Sequence, residues 1–208
     1  MPSKIKMSSL LKGIGNSHSV KKYYDRWSSE YDHSLHQWDY RAPKQSVKIL
    51  AQFIKKKPKY LLDLACGTGL FTEELLKEFH DCICDGSDIS PKIINISKNK
   101  KIYRKLFQSN FEKRIVVKSK YNIVSLIGAM TYCQDHQKLF KNVSSYLEDK
   151  GHFIFTHRLD LWEKFDFDNI INNNSQFRLL YKSRPINYLP KNKDFTSKIK
   201  IRIVLLTK

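Results

Sequence analysis

Apolar positions divide the chain into a helical start, a regular alternation and a different ending. Residues 1–16 hold no sustained period and include two glycines, which predicts a tail. Val20, Tyr24, Trp27 and Tyr31 then recur at steps of four, three and four, one face of a helix with Ser17 or Ser19 available as N-cap. Pro43, followed by Val47, Leu50, Ala51 and Ile54, predicts a second helix ending at Lys55-Lys56-Lys57-Pro58. From Tyr60 onward short apolar runs alternate with helical spacing. Tyr60 to Ala65, Cys82 to Asp88, Tyr103 to Phe107, Tyr121 to Ile127 and His152 to His157 read as strands. The intervening helices are marked by Leu70, Leu75, Leu76 and Phe79, by Pro91, Ile93, Ile94 and Ser97, and by Leu139, Phe140, Val143, Tyr146 and Leu147; the last is expected to stop near Gly151 as its C′ residue. Such alternation implies a parallel sheet covered by helices on both faces. Phe177 to Ser183 and Lys198 to Leu206 are strand-like runs with no helix between them, which predicts an antiparallel hairpin at one edge. Residues Arg158 to Gln176 carry no readable period.

With 208 residues, 41% of them apolar and 28% charged, the chain suits one soluble domain over 17–208, with helices in 17–57 and the α/β core in 58–208. No run of 18 apolar residues occurs, so no membrane span is expected. The four cysteines, Cys66, Cys82, Cys84 and Cys133, form no CxxC pair and have no histidine at ligand spacing, so no metal is expected and a cytoplasmic, reducing setting is. Charge is the outlier, at +18. It is segregated: residues 60–90 alone carry net −6, and the basic excess lies on either side. A basic protein attracts anions, nucleic acid among them. No nucleic-acid module or base-methylation motif accompanies that charge, however, and lysine runs are ordinarily a solvated face.

Candidate chemistry concentrates in Leu61-Leu62-Asp63-Leu64-Ala65-Cys66-Gly67-Thr68-Gly69. A strand that stops in a glycine turn before a helix lets backbone approach a ligand at the strand's carboxyl end. Asp88, at the end of the next strand, is placed to accept hydrogen bonds from the ribose hydroxyls of an adenosine. The third glycine of a dinucleotide fingerprint is replaced by Thr72, and Asp63 beside the turn would repel a pyrophosphate. The pair therefore suits an adenosyl cofactor without phosphates.

These residues resemble the class I S-adenosylmethionine-dependent methyltransferases. Leu-Asp-Leu-Ala-Cys-Gly-Thr-Gly looks like their first motif, Gly86-Ser87-Asp88-Ile89-Ser90-Pro91 like their second, and the segments from Tyr121 and from Leu147 like their fourth and fifth strands. Tyr24 to Asp32 is similar to the helix preceding the core in small-molecule members, and Tyr188 to Thr196 to a closing segment of that branch. The resemblance implies a Rossmann-like α/β fold with seven strands in the order 3-2-1-4-5-7-6, the last antiparallel, under an N-terminal helical cap. It implies S-adenosyl-L-methionine as cofactor, held by Tyr31, Asp63, Ala65, Cys66, Gly67, Gly69, Asp88, Ile89, Asn110, Phe111 and Ile127. Asp63 would hold the methionyl ammonium through a water and Tyr31 would close over that end. Three positions depart from the family's pattern: Ala65 replaces the first glycine of the turn, Asn110 stands where an aspartate often meets the adenine amino group, and His152 follows Gly151 in place of a second glycine.

Methyl transfer by in-line displacement needs proximity and a desolvated acceptor more than a fixed catalytic group. Where the acceptor needs a base, His33, His36, His136 and His157 offer one, with His136 nearest the loop after the fourth strand. The acceptor expected is a small molecule, possible anionic character following from the basic flanks; an RNA-directed methyltransferase and a cofactor-binding regulatory protein are the alternatives.

Overall fold

A computed structural model describes residues 16–192 and 199–208. The tail expected over residues 1–16 lies outside these except for Asn16, as does the part of the Tyr188 to Thr196 segment beyond Asn192. The first helix, α1, is Ser17–Trp27, and its N-cap is Asn16, whose side chain accepts from the Ser19 amide, rather than Ser17 or Ser19. A 3-10 turn at Ser28–Glu30 then interrupts the expected helix, and Tyr31 opens a new one, α2, Tyr31–Gln37. α3 (Ala42–Phe53) has Pro43 in its first turn, where a missing N–H leaves no helical bond unmade.

The core follows as β1 (Tyr60–Leu64), α4 (Leu70–Glu78), β2 (Ile83–Asp88), α5 (Pro91–Asn99), β3 (Lys105–Gln108), β4 (Tyr121–Leu126), α6 (His136–Tyr146) and β5 (Leu147–Arg158). Two short helices, α7 (Leu159–Lys164) and α8 (Phe167–Asn172), occupy the stretch without a readable period, and β6 (Arg178–Lys182), β7 (Ile186–Asn187) and β8 (Lys200–Thr207) complete the sheet. Its order is β3-β2-β1-β4-β5-β8-β6, with β7 also paired to β8. β1 to β5 pair in parallel, and β8 runs antiparallel to both β5 and β6. The expected order is thus present with an eighth, two-residue strand added.

Two local expectations fail for identifiable reasons. α6 ends at Tyr146 and β5 begins at once, because Tyr121 pairs with Leu147 while Ile123 pairs with His152, so residues 148–151 bulge out of the ladder. Lys150 takes the left-handed conformation at φ 63°. Gly151 does not cap a helix; a Cβ there would lie 2.9 Å from the Glu148 carbonyl oxygen. The third strand starts at Lys105, since Tyr103 turns inward to hydrogen-bond Asp63.

Period-two alternation sorts the strand side chains onto two faces. Leu62, Val124, Phe153 and Phe155 pack with α6 and α8 on one face, while Leu61, Ile123, Ile154 and Leu205 pack under α3 and α4 on the other. A third cluster, around Trp27, Leu35 and Leu189, lies beneath the N-terminal helices. From β1 the order runs one way to β2 and β3 and the other way to β4 and β5. The carboxyl ends of β1 and β4 therefore flank a topological switch point, where open α/β sheets hold ligands.

Candidate active site

The turn after β1 is strung through left-handed backbone, with φ of 49° at Ala65, 57° at Gly67 and 99° at Gly69. Ala65 carries its Cβ in a conformation that costs an L-residue about 1–2 kcal/mol, so the departure from glycine is retained as strain. Gly69 opens α4, and a Cβ there would approach Ile102 Cδ1 at 2.8 Å. The Gly67 amide donates to Asp88 Oδ2 at 3.0 Å, and the Ser90 amide to Asp88 Oδ1 at 2.9 Å. Each oxygen keeps a further lone pair for a ligand. Asp63 accepts three hydroxyls, from Ser125 at 2.6 Å, Tyr103 at 2.9 Å and Thr72 at 3.0 Å.

Both carboxyls are buried, and loss of water raises each pKa to about 6 against the opposing pull of those donors. At neutral pH the site holds two desolvated negative charges. Burial also pushes the Cys66 thiol well above its ordinary value, with Asp88 and Asp63 adding to the effect, so Cys66 is no nucleophile.

A cleft opens above the turn, a concave site of the kind that takes small ligands. Tyr31, Ala65, Gly67, Asp88, Ile89, Asn110, Phe111 and Ile127 all line it, and Asp63 and Cys66 line a smaller pocket that shares Tyr31, Gly67 and Ile127 with it. Gly69 lines neither and serves the turn. The Asn110 side-chain oxygen accepts from the Glu112 amide at 3.0 Å, which fixes the side chain in the cleft lining.

Polar contacts fasten the N-terminal helices over the turn. Ser90 Oγ donates to Asp25 at 2.6 Å, Thr68 Oγ1 bonds Asp32, and Lys100 Nζ bridges Asp32 at 3.1 Å and Glu73 at 2.9 Å. The Tyr31 ring lies over Gly67, where a Cβ would meet its hydroxyl at 3.6 Å.

Several lining groups carry no mark in the sequence. Tyr24 and Tyr132 share a hydroxyl–hydroxyl hydrogen bond of 3.0 Å in the cleft wall. Gly128 sits at φ 81°, its space bounded by the Tyr40 hydroxyl, 2.8 Å from where a Cβ would be. Glu112 accepts from the Gln134 and Asp135 amides at 2.6 and 3.1 Å, tying the loop after β3 to the loop after β4. Tyr24 is visible in the sequence only as part of a helical stripe; Tyr132 ends a three-residue 3-10 helix, Met130–Tyr132, and Glu112 stands in a turn, with no period to mark either.

The histidines are not brought to the cleft. The His136 ring packs edge-on against Phe167 at 4.9 Å and lies 6.1 Å from His157, and burial lowers both pKa values, that of His157 to about 3. Their place is the aromatic core beneath α8, so the expectation of a base at His136 gives way to packing. His33 and His36 are exposed on α2. Among the described residues no group of three or more His, Cys, Asp or Glu is arranged to hold a metal ion, and no helix is long and apolar enough to cross a membrane.

A family model described as "Methyltransferase domain" matches residues 31–184. The chain is 29% identical over 115 residues to the ubiquinone biosynthesis O-methyltransferase of Coxiella burnetii, which covers 53% of this chain and 48% of that protein. It is 26% identical over 145 residues to malonyl-[acyl-carrier protein] O-methyltransferase 1 of Ilyobacter polytropus, covering 66% and 51%. It thus spans about half the length of these relatives. Among solved structures, the plantazolicin methyltransferase BpumL in complex with SAH superposes with a TM-score of 0.68 at 15% identity over 99% of this chain and 98% of that one, a shared fold across almost the whole of both.

Proposed function

The chain belongs to the methyltransferase domain family, and we propose that it is an S-adenosyl-L-methionine-dependent methyltransferase acting on a small-molecule acceptor. The observation that carries this reading is the charge of the cleft: its described lining includes Asp88 and Glu112 and no lysine or arginine, in a protein of net charge +18. Such a lining repels phosphates and favours a ligand with hydroxyls and positive charge. Asp88 would take the ribose hydroxyls, Ile89, Asn110 and Phe111 the adenine, and Gly67, Tyr31 and Asp63 the methionyl end.

When bound, the cofactor would supply an electrophilic methyl group for transfer to a lone pair of the acceptor. The chain's own work is placement. Ala65, Gly67 and Ile127 let a ligand sit against backbone, and Tyr31 and the fastened N-terminal helices exclude water, so the acceptor meets the methyl group desolvated. Among the described residues no histidine lines the cleft, which favours an acceptor that is already nucleophilic. The O-methyltransferase names of the two relatives support an oxygen acceptor. The four cysteines are buried free thiols, which supports a cytosolic setting.

Incubation with methyl-labelled S-adenosyl-L-methionine and separate pools of phenols, carboxylic acids, amines and RNA tests the assignment. Label is expected in a small oxygen acceptor; label in RNA alone would overturn the substrate class.

A further inference from the structure

The end of the sheet opposite the cleft carries the reverse charge. Lys59 precedes β1 and Lys120 precedes β4. β8 runs antiparallel to β5, so Lys208 follows it to this same end, where its amide donates to the Gly151 carbonyl at 3.0 Å. Arg178 opens β6 opposite Thr207. An open groove crosses this end, and seven lysine and arginine side chains line it against two carboxylates, Glu148 and Asp149. The cations come from four separate segments: Lys55, Lys56, Lys57 and Lys59 before β1, Lys150 in the β5 bulge, Arg178, and Lys208.

Among the described residues only Lys208 of these reaches a carboxylate, Asp149 Oδ1 at 3.7 Å, and Asp149 is itself 99% exposed. A lysine run by itself is ordinarily a solvated face; here the fold gathers cations from positions spread along most of the chain. Like charges brought together repel, and an anionic partner offsets that repulsion. The loop into β4 adds an apolar group beside them. Val116, between Arg114 and Lys118, is 90% exposed. The Ile115 amide donates to the Tyr146 hydroxyl at 2.8 Å and Lys120 Nζ to the Ser145 carbonyl, which ties the loop to the end of α6 where β5 begins.

We propose that this end docks on the surface of an anionic phospholipid bilayer, with headgroup phosphates against the lysine groove and Val116 in the headgroup layer. The negative potential of such a surface holds clustered lysines, and an apolar side chain among them gains by leaving water. Single-stranded nucleic acid fits less well, because it uses aromatic faces on which bases stack. The one exposed aromatic side chain among the described residues, Phe165, stands past the other end of β5, beside His136. Docking turns the cleft away from the bilayer: the six residues of β4 span about 20 Å, and the cleft opens at their carboxyl end. The proposal is independent of what the cleft binds.

Co-sedimentation with vesicles of phosphatidylcholine, alone or with about 30% phosphatidylglycerol, tests this. The wild type is expected to bind the anionic vesicles about tenfold or more tightly than the neutral ones, with the preference shrinking as salt rises. Lys55→Gln/Lys56→Gln/Lys57→Gln is expected to weaken anionic binding about fivefold for each lysine removed. Lys22→Gln/Lys44→Gln/Lys92→Gln removes the same charge from exposed positions on helices at the cleft end, and is expected to stay within about twofold of the wild type. Val116→Ser, which keeps the net charge, is expected to weaken binding about threefold. Matching far-ultraviolet circular dichroism and melting temperatures show that the variants fold. Equal binding to the two kinds of vesicle, or equal losses in the two triple variants, overturns the proposal. So does poly(U) RNA that the wild type binds more tightly than anionic vesicles through Lys55, Lys56 and Lys57.

Discussion

In the proposed site the cofactor half comes mainly from one stretch of chain, Asp63 to Asp88, and holds two desolvated carboxylates, whereas the acceptor half draws Tyr24 and Tyr132 from segments 108 residues apart and joins their hydroxyls. The first half is shaped by local geometry: a strand end, a left-handed turn and a helix start fix Gly67 against Asp88 whatever else the chain does. The second exists only once the N-terminal helices have folded over the sheet. A site divided this way keeps its cofactor chemistry constant while acceptor recognition varies with the elements that cover it.

The largest effect that separates the halves is expected from Asp88→Asn. Loss of the charged acceptor should weaken S-adenosylhomocysteine by about 100-fold, two charge-assisted hydrogen bonds' worth, as read by calorimetry; Tyr132→Phe should leave that affinity intact. A comparable loss from both would erase the distinction.

Acid should act on the cofactor half next. Asp63 and Asp88 have pKa values of about 6 in the folded chain, above the ordinary 3.8. The unliganded fold therefore prefers them protonated. Its stability is expected to fall as pH rises from about 4 to about 6, by about 3 kcal/mol at most for each group, because a tenfold tighter hold on a proton in the folded state is worth roughly 1.4 kcal/mol. Cofactor affinity should run the opposite way and weaken as pH drops below about 6. Thermal melts and calorimetry across that range, each on wild type and Asp88→Asn, check the two slopes; parallel slopes would contradict the account.

Tyr132→Phe is expected to reduce turnover by about tenfold, through loss of a hydroxyl that orders the acceptor wall, with cofactor KM unchanged. A raised cofactor KM with intact turnover would move Tyr132 into the other half. The smallest effect is expected at Ala65→Gly: relief of left-handed strain, offset by the entropy of glycine in the unfolded chain, leaves a gain of about 0.5–1 kcal/mol. That is a rise of about 1–4 °C in melting temperature for a domain of this size.

The same division explains what is legible in the sequence. Period-two and period-3.6 patterning places the strands and helices of the core, and the turn plus Asp88 stands out because glycine and aspartate at fixed spacing carry their own geometric reason. Tyr132 is invisible, since nothing local distinguishes a tyrosine that bonds Tyr24 in the cleft wall from one facing water. His136 misleads for the converse reason: its place after β4 is right, but Phe167, distant in sequence, claims the ring. α7 and α8 escape notice because six-residue helices are too short to show a period.

The central claim is that the acidic cleft over the glycine turn holds S-adenosyl-L-methionine, and titration of the wild-type protein with S-adenosylhomocysteine at neutral pH tests it most directly. One molecule bound per chain, with affinity about 100-fold weaker in Asp88→Asn, is the expected result; no heat of binding to a folded wild-type protein would contradict it.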